Sequence, residues 1–327
     1  MPKLAEIAPY IYLVVGLVLL SVSANYLIRG AVNLASLLNI PPQVVALTVV
    51  AFGTSLPELV VCVRAALEGS SGIAVGNIVG SNIANILLII GAGALIFPIT
   101  AQRSHFIRDS MIMIGASVIF VAFALSGSFS SVAGTVMLVC IVAFLLFSYW
   151  QGKKHGDADL TMIDLEEASP GAEISLYLAS AWIVGGLVGV AVGAELLVGG
   201  ATTIARSLGV SEEVIGLTMV AIGTSLPELA TVIAAAAKKH TDVIVGNVMG
   251  SNIFNIFGVM GVTAIVADVP VADQILSFDI WVMMAAAILL IPVMLSGNAL
   301  SRREGGIFLV LYFGYIAVQY VGVENLI

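Results

Sequence analysis

Apolar runs about as long as a bilayer is thick alternate with short polar breaks along the chain. A membrane-spanning helix needs about 20 mostly apolar residues. Ten runs meet that measure: 8–27, 42–67, 73–97, 109–125, 132–150, 174–198, 213–237, 243–267, 275–295 and 306–323. The pattern predicts an all-α integral membrane protein with ten transmembrane helices. The second, third, seventh and eighth runs carry Gly, Pro and polar residues in mid-run and are expected to be interrupted helices. No basic stretch precedes the first run and no small-residue cleavage site follows it, so it reads as a retained span and not as a signal peptide.

The runs form two sets of five, and the sets repeat. At a constant offset of 170, residues 44–97 match residues 214–267 at 25 of 54 positions without a gap, which marks an internal duplication. Gly30-Ala31 meets Gly200-Ala201, Gly76-Asn77 meets Gly246-Asn247, and Gly80-Ser81-Asn82-Ile83 meets Gly250-Ser251-Asn252-Ile253. Five is odd, so the second set is expected to enter the membrane from the opposite side. That gives inverted repeats about a pseudo-two-fold axis in the membrane plane. The expected organisation is a first five-helix repeat over 1–150, an acidic linker over 151–172 and a second repeat over 173–327.

Charge orients this arrangement. With the N-terminus outside, Arg29, Arg103, Arg108, Lys153, Lys154, Lys238, Lys239, Arg302 and Arg303 are cytoplasmic, and only Lys3, Arg64 and Arg206 are outside. The excess of cytoplasmic Lys and Arg predicts both termini outside the cell membrane and the linker in the cytoplasm. Composition agrees with the class: 60% of the 327 residues are hydrophobic and 10% charged, where a soluble domain carries about 25% charged residues. The net charge of −8 lies largely in loops and points to no nucleic-acid or protein partner; the expected partner is membrane lipid. Cys62 and Cys140 lie in different spans and read as small apolar residues. His105, His155 and His240 lie in polar breaks and carry no expected metal or catalytic role. The linker holds Asp157, Asp159, Asp164, Glu166 and Glu167, but Met162 stands where a calcium-binding EF-hand loop needs its sixth-position Gly. It reads as a solvated linker.

One stretch in each repeat carries the chemistry. Gly53-Thr54-Ser55-Leu56-Pro57-Glu58 and Gly223-Thr224-Ser225-Leu226-Pro227-Glu228 each set a carboxylate and a proline inside an apolar run. An ionisable residue at membrane depth is expensive and functional by default. Pro57 and Pro227 lack the N–H that would reach four residues back, to Gly53 and Gly223, so both helices should loosen there. Ala51, Thr54, Ser55 and Glu58 recur at spacings of three and four and share a face, as do Ala221, Thr224, Ser225 and Glu228. In the following span, Asn77, Ser81 and Asn85 form a polar stripe beside the small stripe Gly76, Gly80 and Ala84. The second repeat has Asn247, Ser251 and Asn255 beside Gly246 and Gly250, with Phe254 in place of the small residue. The small stripes suit close backbone approach.

The combined donors are all oxygen: two carboxylates, the hydroxyls of Thr54, Ser55, Ser81, Thr224, Ser225 and Ser251, backbone carbonyls, and the amides of Asn85 and Asn255. Such a set suits hard cations such as Ca²⁺ or Na⁺ and not zinc or copper. No basic residue accompanies either glutamate, so a divalent cation, monovalent cations or protons must neutralise the pair. Competing neutralisations of one site are the physical basis of antiport. A channel or cation sensor remains open on residues alone. An intramembrane enzyme would need a nucleophile–base pair or a metal centre, and no span holds a histidine.

These motifs resemble those of the cation/Ca²⁺ exchanger superfamily, and most closely the prokaryotic sodium/calcium exchangers: GTSLPE at 53–58 and 223–228, with GNIVGSNIANI and GNVMGSNIFNI following. The resemblance covers all ten spans. It implies inverted five-helix repeats, alternating access by sliding of the first and sixth helices, no cofactor, and Na⁺ and Ca²⁺ as the transported ions. It also implies an ion site of Glu58, Glu228, Ala51, Ala221, Thr54, Thr224, Ser55, Ser225, Ser81, Ser251, Asn85 and Asn255, and an electrogenic exchange of three Na⁺ per Ca²⁺. Some relatives carry Asp at the position of Asn255; its absence weakens a potassium-cotransporting reading. The alternative on the same scaffold is a proton-driven Ca²⁺ antiporter.

Overall fold

The computed structural model describes residues 2–38, 42–69, 71–154, 175–207, 221–297 and 299–321. Almost all of it is helix. The helices are α1 (Pro2–Leu37), α2 (42–54), α3 (Leu56–Leu67), α4 (Ser71–Ile96), α5 (Arg103–Ala124), α6 (Ser131–Lys154), α7 (Leu176–Ser207), α8 (Ala221–Thr224), α9 (Leu226–Ala237), α10 (Thr241–Val266), α11 (Ile275–Ser296) and α12 (Arg302–Val321). Four two-residue strands, β1 (Ile99–Thr100), β2 (Ser128–Phe129), β3 (Val269–Pro270) and β4 (Ala299–Leu300), pair antiparallel as β1 with β4 and β2 with β3. Among the described residues, seven helices are long and apolar enough to cross a membrane, or eight with α2 and α3 counted as one bent span.

The layering follows from burial. Of the span of α10, 83% is buried, and of α4, 72%, against 33% for α6. α4 and α10 therefore form the centre, and the peripheral helices turn side chains such as Val132, Leu146 and Val310 outward. Tyr149 and Trp150 are exposed near the end of α6, where amphipathic aromatic rings suit a membrane interface.

α1 and α7 lie antiparallel along one another. A methyl added at Gly30 would stand 2.9 Å from the Ala179 carbonyl, at Gly186 2.8 Å from the Leu27 nitrogen, and at Gly200 2.6 Å from the Pro9 carbonyl. Only small residues permit that approach. Both helices are longer than the runs 8–27 and 174–198 foretell; α1 begins before Pro9 and continues past Arg29. α6 likewise continues to Lys154, so the linker begins later than residue 151; residues 155–174, with the rest of the acidic segment, lie outside the described residues.

The second span is broken as expected: α2 and α3 meet at 47°. The break falls on Ser55 (φ −84°, ψ 4°), with Pro57 in the first turn of α3, where its missing N–H breaks no ladder bond. Gly53 stays helical and provides room: a side chain there would press on Leu187 of α7. The seventh span breaks the same way at Ser225; residues 208–220 lie outside the described residues.

The third and eighth spans correct the expectation. Neither is interrupted. α4 runs unbroken through a π-helical segment, Asn85–Ile90, and α10 through another, Phe254–Val259. Their asparagines do not end the helix, because their side chains find partners across the core. Two further π segments, Ala46–Val50 in α2 and Ile275–Asp279 in α11, were not foreseen either. The small-stripe expectation holds at Gly250, where an added methyl would strike the Leu47 carbonyl. At Gly76 and Gly80 an added methyl meets nothing within 4 Å among the described residues. The counterpart of Leu47 at the 170 offset, Leu217, lies outside them.

Candidate functional site

Glu58 and Glu228 occupy the first turns of α3 and α9, directly after the two breaks. The positive end of a helix dipole favours an anion there. Both side chains are wholly buried. Each carboxylate is reached from the opposite half of the chain: Ser55 Oγ lies 3.5 Å from Glu228 Oε1, and Ser225 Oγ lies 3.4 Å from Glu58 Oε1. The two bonds are images of each other at the 170 offset.

The remaining hydroxyls bring in α4 and α10. Ser225 Oγ is 3.3 Å from Ser81 Oγ, and Thr54 Oγ1 is 3.5 Å from Ser251 Oγ. Asn85 and Asn255 follow Ser81 and Ser251 by one helical turn on the same face. Their amide nitrogens cross between the two halves of the chain, Asn85 Nδ2 to Asn252 Oδ1 at 3.0 Å and Asn255 Nδ2 to Asn82 Oδ1 at 3.2 Å. Asn252 and Asn82 in turn donate to Met113 Sδ and Met283 Sδ at 3.4 and 3.7 Å.

After these bonds are drawn, four oxygens of this group of residues stay buried and unpartnered: Glu58 Oε2, Glu228 Oε2, Asn85 Oδ1 and Asn255 Oδ1. They form two pairs at the 170 offset. A buried acceptor without a partner costs about 1–3 kcal/mol, more when charged. A hard cation among such oxygens removes that penalty. No cluster of three or more His, Cys, Asp or Glu occurs among the described residues, so the oxygen set is not a soft-metal site.

Not every expected residue joins the set freely. The Ala51 carbonyl accepts the Ser55 N–H at 3.1 Å and lies 3.3 Å from Thr54 Oγ1, so it is already engaged within its own helix. Ala221 opens α8 as Ala51 opens the last turn of α2; its side chain is outside the description. Thr224 Oγ1 turns to Asn77 Oδ1 at 3.2 Å, and Asn77 Nδ2 reaches Cys62 Sγ at 3.3 Å. Asn247, the image of Asn77, is buried with both amide atoms unpartnered among the described residues. Its counterpart to Cys62 is Val232, which offers no acceptor.

Sequence reasoning passed over Asn82, Asn252, Met113 and Met283 as site residues; the shared offset of 170 was the signal that could have found them. The same offset links the buried carboxylates Asp109 and Asp279. Arg108 Nε meets Asp109 at 2.7 Å, and Tyr315 Oη donates to Asp279 at 2.9 Å.

Comparison with known proteins gives concordant results. The family model described as sodium/calcium exchanger protein matches residues 8–150 and 178–321. Inner membrane protein YrbG of Escherichia coli is 37% identical over 280 residues, covering 85% of this chain and 86% of its own. Sodium/calcium exchanger MaX1 of Methanosarcina acetivorans is 30% identical, covering 95% of this chain and 98% of its own. A solved structure of the sodium-calcium exchanger NCX_Mj, soaked with zero Na⁺ and Ca²⁺, superposes with a TM-score of 0.80 at 32% identity, covering 95% of this chain and 99% of that one.

Proposed function

The chain belongs to the sodium/calcium exchanger protein family, and from that premise we propose that it exchanges Na⁺ for Ca²⁺ at one alternating-access site shared by its two halves. As a member of this family it is a membrane antiporter, not an enzyme. The ligand set we assign is Glu58 and Glu228 with Thr54, Ser55, Ser81, Asn85 and their images Thr224, Ser225, Ser251 and Asn255; Ala51 and Ala221 contribute backbone only. The observation that carries the reading is the four buried, unpartnered oxygens drawn equally from both halves. The ion pairs among the described residues, Arg64–Glu68 and Arg108–Asp109, leave both glutamates without a basic partner. Two carboxylates balance one Ca²⁺. Three Na⁺ leave one net positive charge, so exchange is electrogenic.

The same reading takes the chain as ten spans in two inverted repeats. The antiparallel course of α1 and α7 supports this, as do the paired bonds at the 170 offset. One end of the molecule gathers β1 and β4, a bond between Thr100 and Thr241, Lys238 against the Asn25 carbonyl, Lys239 over the Phe97 ring, and Arg302 on the Ile96 carbonyl. β2 and β3 lie at the far end of the 22-residue α5. The basic residues at the first end support a cytoplasmic assignment for it, with both termini outside. α1 and α7, only 35% and 28% buried along their spans, form the pair that slides past the core.

The deciding experiment is ⁴⁵Ca²⁺ uptake into proteoliposomes loaded with Na⁺ and diluted into Na⁺-free buffer at equal pH on both sides. Uptake that disappears with choline inside supports sodium coupling. Uptake that ignores internal Na⁺ but follows a pH gradient assigns the site to proton-driven exchange.

A further inference from the structure

The orphaned amide oxygens of Asn85 and Asn255 are held in place from outside the site. A thioether accepts a hydrogen bond and donates none. Met113 Sδ, on α5, therefore faces the amide nitrogen of Asn252 at 3.4 Å. That turns Asn252 Oδ1 to Asn85 Nδ2 at 3.0 Å, and leaves Asn85 Oδ1 pointing away with no partner. The mirror relay starts from Met283 Sδ on α11, passes through Asn82, and ends with Asn255 Oδ1 equally unpartnered. All six side chains are at most 2% exposed, so water does not compete for these bonds. Each relay has one direction, fixed at its sulfur end.

We propose that Asn82 and Asn252 are positioning residues, which take the amide hydrogens of Asn255 and Asn85 across the pseudo-axis and so aim the two Oδ1 atoms at the transported cation. The proposal rests on the reading above that these oxygens are cation ligands. Its physical content is a choice between two orientations of nearly the same shape. Turned one way, an asparagine presents an oxygen that attracts a cation. Turned the other way, it presents an NH₂ group that repels one. Nothing in the steric outline of Asn85 or Asn255 makes that choice, whereas the acceptor oxygens of Asn252 and Asn82 do. The relays also tie cation affinity to α5 and α11, which contribute no ligand of their own.

The test is equilibrium ⁴⁵Ca²⁺ binding to the purified full-length protein, run as a double-mutant cycle. Asn252→Leu removes the acceptor from Asn85, and the expected loss of Ca²⁺ affinity is about tenfold, the scale of one misaligned neutral ligand. Met113→Leu keeps core volume and frees the Asn252 amide, with an expected loss of about threefold in affinity, since a thioether bond is weaker than an amide one. In an Asn85→Ala background either change should add less than about twofold, because partners acting through one ligand are not additive. A purely structural role would lower thermal stability yet leave the effects multiplicative. Multiplicative losses, or an Asn252→Leu protein with wild-type affinity, overturn the positioning role alone. Wild-type binding by Asn85→Ala overturns the ligand reading itself and this proposal with it. Met113→Leu carries the cycle if Asn252→Leu fails to fold.

Discussion

Replacing Glu58 by glutamine separates what the carboxylate does for the ion from what it does for the fold. Glutamine keeps the shape and keeps an oxygen for the Ser225 hydroxyl, which now sits 3.4 Å from Glu58 Oε1. The other terminal atom changes from an unpartnered oxygen to an NH₂ group, which presents a donor where the cation needs an oxygen. The site charge falls from −2 to −1, so a bound Ca²⁺ is left with one uncompensated charge away from water. Removing one partner from a buried charge complement costs about 3–5 kcal/mol, and at about 1.4 kcal/mol per decade that is a loss of about 10²- to 10⁴-fold in Ca²⁺ affinity. The apo protein should lose no stability, because like charges at Glu58 and Glu228 no longer face each other. The assay pairs ⁴⁵Ca²⁺ binding with thermal unfolding in detergent. Ca²⁺ at one hundred times the wild-type Kd stabilises the wild type by about 2.7 kcal/mol, and should leave Glu58→Gln almost unshifted. Ca²⁺ affinity within threefold of wild type, or an apo protein that melts far below wild type, would refute the argument; the second result would make the carboxylate a structural group.

Three shorter predictions follow from other parts of the molecule. Asn255→Asp adds a third titratable group to the site and should change the pH dependence of Ca²⁺ uptake without abolishing binding; an unchanged pH profile would place residue 255 outside the ion path. Gly250→Ala drives a methyl into the Leu47 carbonyl and should reduce the yield of folded protein on size-exclusion chromatography severalfold, a loss of about 1–3 kcal/mol; a wild-type yield and melting temperature would show that the two helices part there without cost. Reporter tags at the two termini should both report from outside the cell, and a tag in the 155–174 segment from the cytoplasm; a cytoplasmic terminus would reverse the orientation.

The apolar, mostly helical character of the chain and the two carboxylate motifs could be read directly, because hydropathy and exact repetition are properties of composition and order. What escaped was backbone phase. Nothing in Asn85–Ile90 or Phe254–Val259 distinguishes a π segment from an α-helical one by residue type; that choice is made by what the flanking asparagines bond to across the core. For the same reason α4 and α10 were expected to break at polar residues that the opposite half in fact satisfies. The use of Gly53, making room for Leu187, was not legible because it depends on a helix more than a hundred residues away. The lengths of α1 and α7 were underestimated because hydropathy marks only the apolar stretch, and the packing of the two helices on each other carries them further.

The mismatch between Cys62 and Val232 has a consequence for energy balance. If the halves were perfect images, exchanging their roles would convert an outward-open molecule into an inward-open one of equal energy, and the transporter would divide its time evenly between them. The sequence departs from that degeneracy at particular places. Asn77 has Cys62 and Thr224 as partners, whereas its image Asn247 has none among the described residues. Phe254 likewise replaces the small Ala84. Each departure makes one resting orientation cheaper than its mirror. The resting bias of the exchanger is therefore inscribed where its two halves disagree, and restoring agreement one residue at a time is a way to tune it without touching the ion site.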